Sequence, residues 1–426
     1  MLKTKDNIFF KNYIVFIDQG LVSLGNFIIS ILIVKFSGLQ TFGVFSFYWL
    51  IYILITNIQK SLIITPLLTN SPNVSEQNKD YFFGHLNIVQ FLFASFFLII
   101  IIFFSKTYLI IENMFGLSSN LFQQDLIEKF AIIVFLSTFF NFLRKEFFSK
   151  KFQVTALFLD IIVYFLIIGG LIFFKDYLEV DQIFNVFILS YSIAFLIYMF
   201  NLKNYKYSLS SFKRYFRQNW SLAKWMFSGS VFNNISNTLL FFNLGVVLGP
   251  SVLGAVRACY QLANSCNIFF QAFENFWLFL ISDDLKKDVK QMNKNLFDQI
   301  KNFLLILMPF MFAMIYFADF ILPIFFTSEI LPFTKIYIFM LLLIPILFIN
   351  YPFEFALNVL QKPQAFFYVS ILVFFITLLL SKYLILEYQV LGFGIILSSF
   401  HIVPAIVLYI FYLYYFKKKK VLNENT

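Results

Sequence analysis

Stretches of about 20 nearly uninterrupted apolar residues recur from one end of this chain to the other, and each is long enough to cross the hydrocarbon core of a bilayer as a helix. Inside lipid a backbone amide has no partner outside its own segment, so these stretches must be helical. Twelve candidates follow: Tyr13–Phe36, Thr41–Ile64, Tyr81–Phe104, Phe130–Phe148, Thr155–Phe174, Ile183–Phe200, Leu222–Leu248, Val252–Ile281, Leu296–Ala318, Phe333–Leu360, Phe366–Leu386 and Leu391–Phe416. Composition agrees: 60% of the residues are hydrophobic and 13% charged, against about 25% charged in soluble domains, and the mean hydropathy is +0.82. The expected class is an all-α polytopic membrane protein.

Loop charges test the number of spans. With the N-terminus in the cytoplasm, 23 Lys and Arg residues fall in cytoplasmic segments, and only Lys106, Lys129, Lys175, Lys335 and Lys382 fall outside. A missed span would scramble this bias, which follows the positive-inside rule and places both termini in the cytoplasm. The net charge of +10 therefore reflects topology, and no nucleic-acid partner is expected. Lys3, Lys5 and Lys11 precede an apolar run that contains Asp18 and lacks a small-residue cleavage site. It reads as a retained first span of a multi-pass protein of the inner (plasma) membrane.

Several chemistries are disfavoured. Cys259 and Cys266 share one apolar segment, and His85 and His401 are the only histidines, so neither a disulfide framework nor a metal site is expected. No phosphate-binding loop is visible, and no cofactor is expected.

The longest basic connection, Asn201–Trp220, divides the chain. Expected are an N-terminal six-helix lobe (1–200), a cytoplasmic linker (201–221), a C-terminal six-helix lobe (222–416) and a basic tail (417–426). A faint repeat links the lobes: Leu24–Ile51 aligns without gaps to Ile235–Leu262, matching Asn26 to Asn237, Gly38 to Gly249 and Gly43 to Gly254. Parallel repeats about an axis normal to the membrane are a transporter design. Pro309, Pro345, Pro352 and Pro404 lie within spans and predict kinks there. The abundant Phe and Tyr read mostly as lipid-facing bulk.

Polar groups at membrane depth are costly and so carry information. In span eight, Arg257, Gln261, Asn264, Asn267, Gln271, Glu274 and Asn275 fall within an arc of about 140°, with Cys259 and Cys266 opposite. Such a stripe reads as the wall of a wet cavity; interhelical hydrogen bonding would need only one or two of these residues. Span seven repeats the pattern more weakly with Ser230, Asn233, Asn234 and Asn237, and span one carries Asp18, Gln19, Ser23, Asn26 and Ser30. Asp18 and Lys60 lie at similar depth on spans one and two. They form either a structural ion pair, or a coupling carboxylate beside a phosphate-binding amine. Arg257 either holds an anionic group or packs and snorkels, and Lys35 and Lys224 at span ends favour snorkelling. Arg144, Lys145 and Glu146 read as the inner anchor of span four. Asp160 and Glu354 lack an obvious sequence partner, so each is either a protonated structural acid or a proton carrier.

Some of these residues also carry a resemblance. Asp18-Gln19 is followed by Ser23, Asn26-Phe27, Phe42-Gly43 and Gln59-Lys60-Ser61-Leu62-Ile63 leading to Pro66. Then come Arg144-Lys145-Glu146, Asp160, Trp225, Gly254-Ala255-Val256-Arg257-Ala258 and Gln271-Ala272-Phe273-Glu274-Asn275. In order and spacing, over most of its length, the chain resembles the O-antigen and polysaccharide-unit flippases (Wzx-type) of the multidrug/oligosaccharidyl-lipid/polysaccharide exporter superfamily. The resemblance implies a MATE/MOP-like pair of six-helix lobes facing each other across a cavity. It implies alternating access that moves an undecaprenyl-pyrophosphate-linked oligosaccharide to the periplasmic leaflet, coupled to an ion or proton. Substrate phosphates would meet Lys60, Arg257 and Lys224. Gln19, Asn26, Asn233, Asn237, Gln261, Asn264, Gln271 and Asn275 would line the cavity, and Asp18, Glu274, Glu354 and Asp160 are the coupling candidates. Besides the lipid-linked oligosaccharide and the bilayer, a polysaccharide polymerase and a chain-length regulator would be partners.

Two other functions compete. A cation-coupled drug exporter of the same superfamily would use Asp18, Glu274 and Glu354, although the amide-rich stripe prefers a neutral or anionic glycan. A membrane glycan polymerase or glycosyltransferase would need a catalytic constellation outside the bilayer, and the largest outer loop, Ser105–Lys129, shows none. The expectation is therefore a transporter and not an enzyme.

Overall fold

The computed structural model of the protein describes residues 2–115, 123–202, 205–266, 289–359 and 364–424. Among them the chain is helical throughout, with no strand. The helices are α1 (Leu2–Gln59), α2 (Thr65–Asn70), α3 (Glu76–Phe115), α4 (Gln124–Ser149), α5 (Gln153–Phe173), α6 (Val180–Asn201), α7 (Leu209–Leu248), α8 (Pro250–Ala263), α9 (Val289–Tyr316), α10 (Ala318–Phe325), α11 (Thr334–Val359) and α12 (Gln364–Glu424). Eight of the described helices are long and apolar enough to cross a membrane, or nine if the bent α9–α10 pair is one span.

Two of these segments are double. Helix α1 leaves helical geometry at Gly38 (φ 81°, ψ 174°) and α12 does so at Gln389 (φ 52°, ψ −128°), so each contains two of the expected spans. The expected eighth span, Val252–Ile281, is described only as far as residue 266. Other boundaries move. Helix α3 continues to Phe115 and α4 begins at Gln124, so much of the expected outer loop Ser105–Lys129 is helix. Lys106 and Glu128 pair there at 2.6 Å. The four prolines expected to kink spans all remain within helices. The sharp bend, 76°, instead separates Ile300–Tyr316 from Ala318–Phe325.

The repeated glycines share one geometry. Gly38 and Gly249 both hold a positive φ, 81° and 88°, and each turns the first helix of its repeat into the second. A β-carbon at either position would meet nothing within 4 Å, so backbone conformation alone demands glycine.

The chain forms two compact units, Met1–Val231 with Gly249–Ser251, and Phe232–Leu248 with Val252–Thr426. In the first, α4 packs against α3 and α6, and α5 against α1 and α6. Its centre is aromatic: Phe47, Phe82, Phe139, Phe142, Phe184 and Phe187 are fully buried. Phenylalanine is thus also core material here, while Phe165 and Phe173 face outward. In the second unit α11 packs on α12 and on α9, around the buried Phe241, Tyr337, Phe348, Phe393 and Tyr412.

Candidate functional site

The site is built where α1, α4 and α5 meet in the first unit. Gly25 on α1 lacks a side chain, and a β-carbon there would overlap the Tyr164 ring on α5. The two helices therefore approach closely, and the Tyr164 hydroxyl donates to Asn26 Oδ1 at 3.2 Å. Asp160 lies four residues before Tyr164 and Asp18 seven before Gly25, so helical periodicity puts both acids on this shared face. Helix α4 presents Ser137, Asn141 and Arg144 at the same spacing, and Asn141 donates to the Tyr52 hydroxyl at 3.1 Å.

Arg144 lies between the two acids. Its terminal Nη2 donates to Asp18 Oδ2, and its Nε lies 2.5 Å from Asp160 Oδ2. All three side chains are buried, with Asp18 2%, Asp160 0% and Arg144 7% exposed. Fully ionised, these three groups hold two negative charges and one positive, and the half-buried Lys145 on the next position of α4 acts electrostatically on both acids. The Oδ1 atoms of both acids have no hydrogen-bond partner. A buried uncompensated charge is strongly unfavourable, so the three directly bonded groups taken by themselves become neutral on taking up one proton or one monovalent cation. Among the described residues no group of three or more His, Cys, Asp or Glu side chains could hold a metal ion.

This corrects three expectations. Asp18 does not pair with Lys60; its cation is Arg144. Arg144 is accordingly no simple inner anchor of span four, and Asp160 has a partner after all. Lys60 opens a stretch of unusual backbone. Pro66 has no N–H for helical bonding, and the turn before it, Lys60–Ile64, opens into a π-helix. Gln59 is buried there, donating to Gln90 Oε1 (2.8 Å) and the Thr138 carbonyl (2.7 Å), while Lys60 is exposed. Arg144 carried a legible signal: Ser137, Asn141 and Arg144 recur at helical spacing after the apolar stretch Phe130–Leu136.

The remaining candidates scatter. On α1, Gln19 and Ser23 are exposed, Asn26 is half-buried and Ser30 buried. On α7, Asn233 is exposed and Asn237 half-buried; the Lys224 side chain lies outside the described set. On and just after α8, Arg257, Gln261 and Asn264 are half-buried, and Cys259 on the other side is buried. Arg257 sits over the rings of Phe241 (5.0 Å) and Tyr260 (5.7 Å). Its Nε has no hydrogen-bond partner, and no described carboxylate pairs with it. Gln271, Glu274 and Asn275 lie outside the described residues. Glu354 is half-buried on α11. An apolar groove of about 550 Å³ runs along α9, with Lys301 beside Phe297, Leu304 and Met308; none of the candidates lines it.

No family model and no curated protein sequence matches the chain. Solved structures do. An inward-facing multidrug resistance MATE family transporter of the MOP superfamily superposes with a TM-score of 0.75 at 11% identity, covering 95% of this chain and 96% of that one. The lipid II flippase MurJ, in an inward closed conformation, gives 0.71 at 18% identity, covering 94% and 86%. A MATE in complex with MaL6 gives 0.62 at 12%, covering 96% and 94%. The chain has the all-α fold of these membrane transporters.

Proposed function

We propose that this protein is a cation- or proton-coupled flippase that moves an undecaprenyl-pyrophosphate-linked oligosaccharide from the cytoplasmic to the periplasmic leaflet of the inner membrane by alternating access. The observation that carries this reading is the buried Asp18–Arg144–Asp160 cluster. Two buried carboxylates that share one directly bonded guanidinium are a poor structural element and a good carrier of one positive charge. Loading and release of that charge would bias two conformations of the protein, which is what coupling requires.

The cargo assignment rests on chemistry. A pyrophosphate-sugar headgroup is anionic and rich in hydroxyls, so its carrier needs a few cations and many amides. Arg257 offers a cation that no described acid neutralises, and Lys60 an exposed one on a π-helical turn. Gln261, Asn264 and Asn237 offer amides. Glu274 and Glu354 are further coupling candidates, and a polymerase and a chain-length regulator would act next on the flipped product.

The test is transport of a fluorescent lipid-linked oligosaccharide in proteoliposomes under an imposed proton or sodium gradient. Gradient-driven transfer, lost in Asp160→Asn, supports the proposal. If a strain lacking the protein keeps normal surface glycan and accumulates no lipid-linked intermediate, the cargo assignment fails. A second reading, export of cationic drugs, is favoured by the same two acids. Dye efflux that survives in proteoliposomes without any glycolipid activity would select it.

A further inference from the structure

The segment that follows α6 is clamped to the end of the first unit. The Tyr205 hydroxyl accepts from Lys150 Nζ at 2.6 Å, and Lys150 also pairs with the buried Glu146 at 2.6 Å. The Lys206 N–H donates to the Asp80 carbonyl. Further on, Asn70 Nδ2 donates to Asn219 Oδ1 at 2.6 Å. Tyr215 is buried edge-on against Phe82 (5.3 Å), and Phe212 edge-on against His85 (4.8 Å). The first turns of α7 are therefore a fixed part of this unit.

Their outward side is sorted by chemistry. At about 100° per residue, Phe212, Tyr215 and Asn219 form the inward face. Beside it comes an apolar edge of Leu209, Phe216 and Trp220, which are 72%, 45% and 49% exposed. Phe216 stacks between Phe212 and Trp220 at 5.9 and 6.1 Å, so this edge is a stiff aromatic ladder. Beyond it lies a basic edge, where Lys213, Arg214 and Arg217 are all exposed. None of the three is in an ion pair with a described residue.

Depth is fixed by the partners. Phe82 and His85 open the apolar run of α3, which begins at Tyr81, so the ladder lies level with the boundary between hydrocarbon and headgroups. Aromatic side chains with basic neighbours at that depth fit anionic lipid. We propose that the face Leu209–Trp220 of α7 is a docking site for anionic phospholipid headgroups of the leaflet it borders, with Lys213, Arg214 and Arg217 on the phosphates and Phe216 and Trp220 at the acyl boundary. The inference is independent of the cargo.

The test uses the full-length protein in vesicles containing brominated phosphatidylglycerol or, at equal fraction, brominated phosphatidylcholine. Subtracting the Trp220→Phe protein isolates the fluorescence of Trp220. Brominated phosphatidylglycerol should quench it at a mole fraction lower by at least about fivefold, the effect of a single engaged cation out of the three. High salt should erase the difference. Combined Lys213→Gln, Arg214→Gln and Arg217→Gln should erase it too, leaving the phosphatidylcholine quenching in place. Equal quenching by both lipids overturns the proposal, as does a preference that survives the triple substitution. Absence of quenching by either lipid shows the face to be covered by protein or water and also overturns it.

Discussion

Arg144 reaches Asp160 through Nε at 2.5 Å while its terminal nitrogen bonds Asp18, so a single guanidinium on α4 ties α1 to α5. The fork of the guanidinium, which a lysine lacks, is what allows one side chain to serve two acids. The same arrangement gives two carboxylates one directly bonded cation. Structural and functional roles therefore separate by substitution.

Removing the cation should unfold the unit. Arg144→Ala leaves two buried carboxylates facing each other and should cost about 3–5 kcal/mol, read as a lower thermal midpoint in detergent. Arg144→Leu combined with Asp18→Asn and Asp160→Asn should recover most of that midpoint and none of the gradient-driven transport. A triple variant as unstable as Arg144→Ala would show that the charges are not the source of the loss.

Removing one of the two acids should do the opposite. Asp160→Asn keeps the volume and one ion pair, so abundance should stay within about twofold. Transport should fall at least about tenfold and lose its response to pH, because the group that takes up the cation is gone. A variant that keeps the wild-type pH profile would remove Asp160 from coupling.

The exposed and half-buried cations should matter for cargo alone. Lys60→Ala and Arg257→Ala should each lower transport of an anionic lipid-linked glycan about tenfold, the scale of a charge-assisted contact of 1.5 kcal/mol or so. Protein levels should not change for Lys60, which is exposed. Arg257→Lys should keep more activity than Arg257→Ala, since the charge over Phe241 and Tyr260 is retained. Equal loss of abundance and transport in both Arg257 variants would assign the residue to packing.

Glycine turns should differ by mechanism. Gly38→Ala and Gly249→Ala meet no atom and should each cost about 1–3 kcal/mol from backbone conformation alone. Gly392→Ala runs into the backbone at Leu384 and should cost more, since backbone cannot rotate aside as a side chain does. Thermal unfolding of the three variants gives the ranking; a Gly392 variant as stable as the other two would refute the steric account.

Much of the architecture was readable beforehand. The turns at Gly38 and near Gln389 fall in the gaps left between apolar runs, because lipid forces every run to close its own hydrogen bonds. The alignment of Gly38 with Gly249 foretold a shared backbone geometry, since only glycine adopts it freely. The site was half readable. Asp18 and Asp160 stand out as acids at membrane depth, but of the two readings of Asp18 the ion pair with Lys60 does not form, and its partner is Arg144. Depth along a helix can be counted from sequence, whereas the direction a side chain faces depends on local winding, and the chain winds as a π-turn over Lys60–Ile64.

What the sequence determined by itself was that the chain is built of apolar helices and roughly where the described ones turn, because the cost of exposing backbone to lipid acts on each segment separately. What only the tertiary structure decided was which helices share a face. That Arg144 stands between Asp18 and Asp160, residues 126 and 16 positions away along the chain, depends on the close approach of α1 to α5 at Gly25 and Tyr164. Such contacts join segments distant in sequence, and no periodicity within one segment records them.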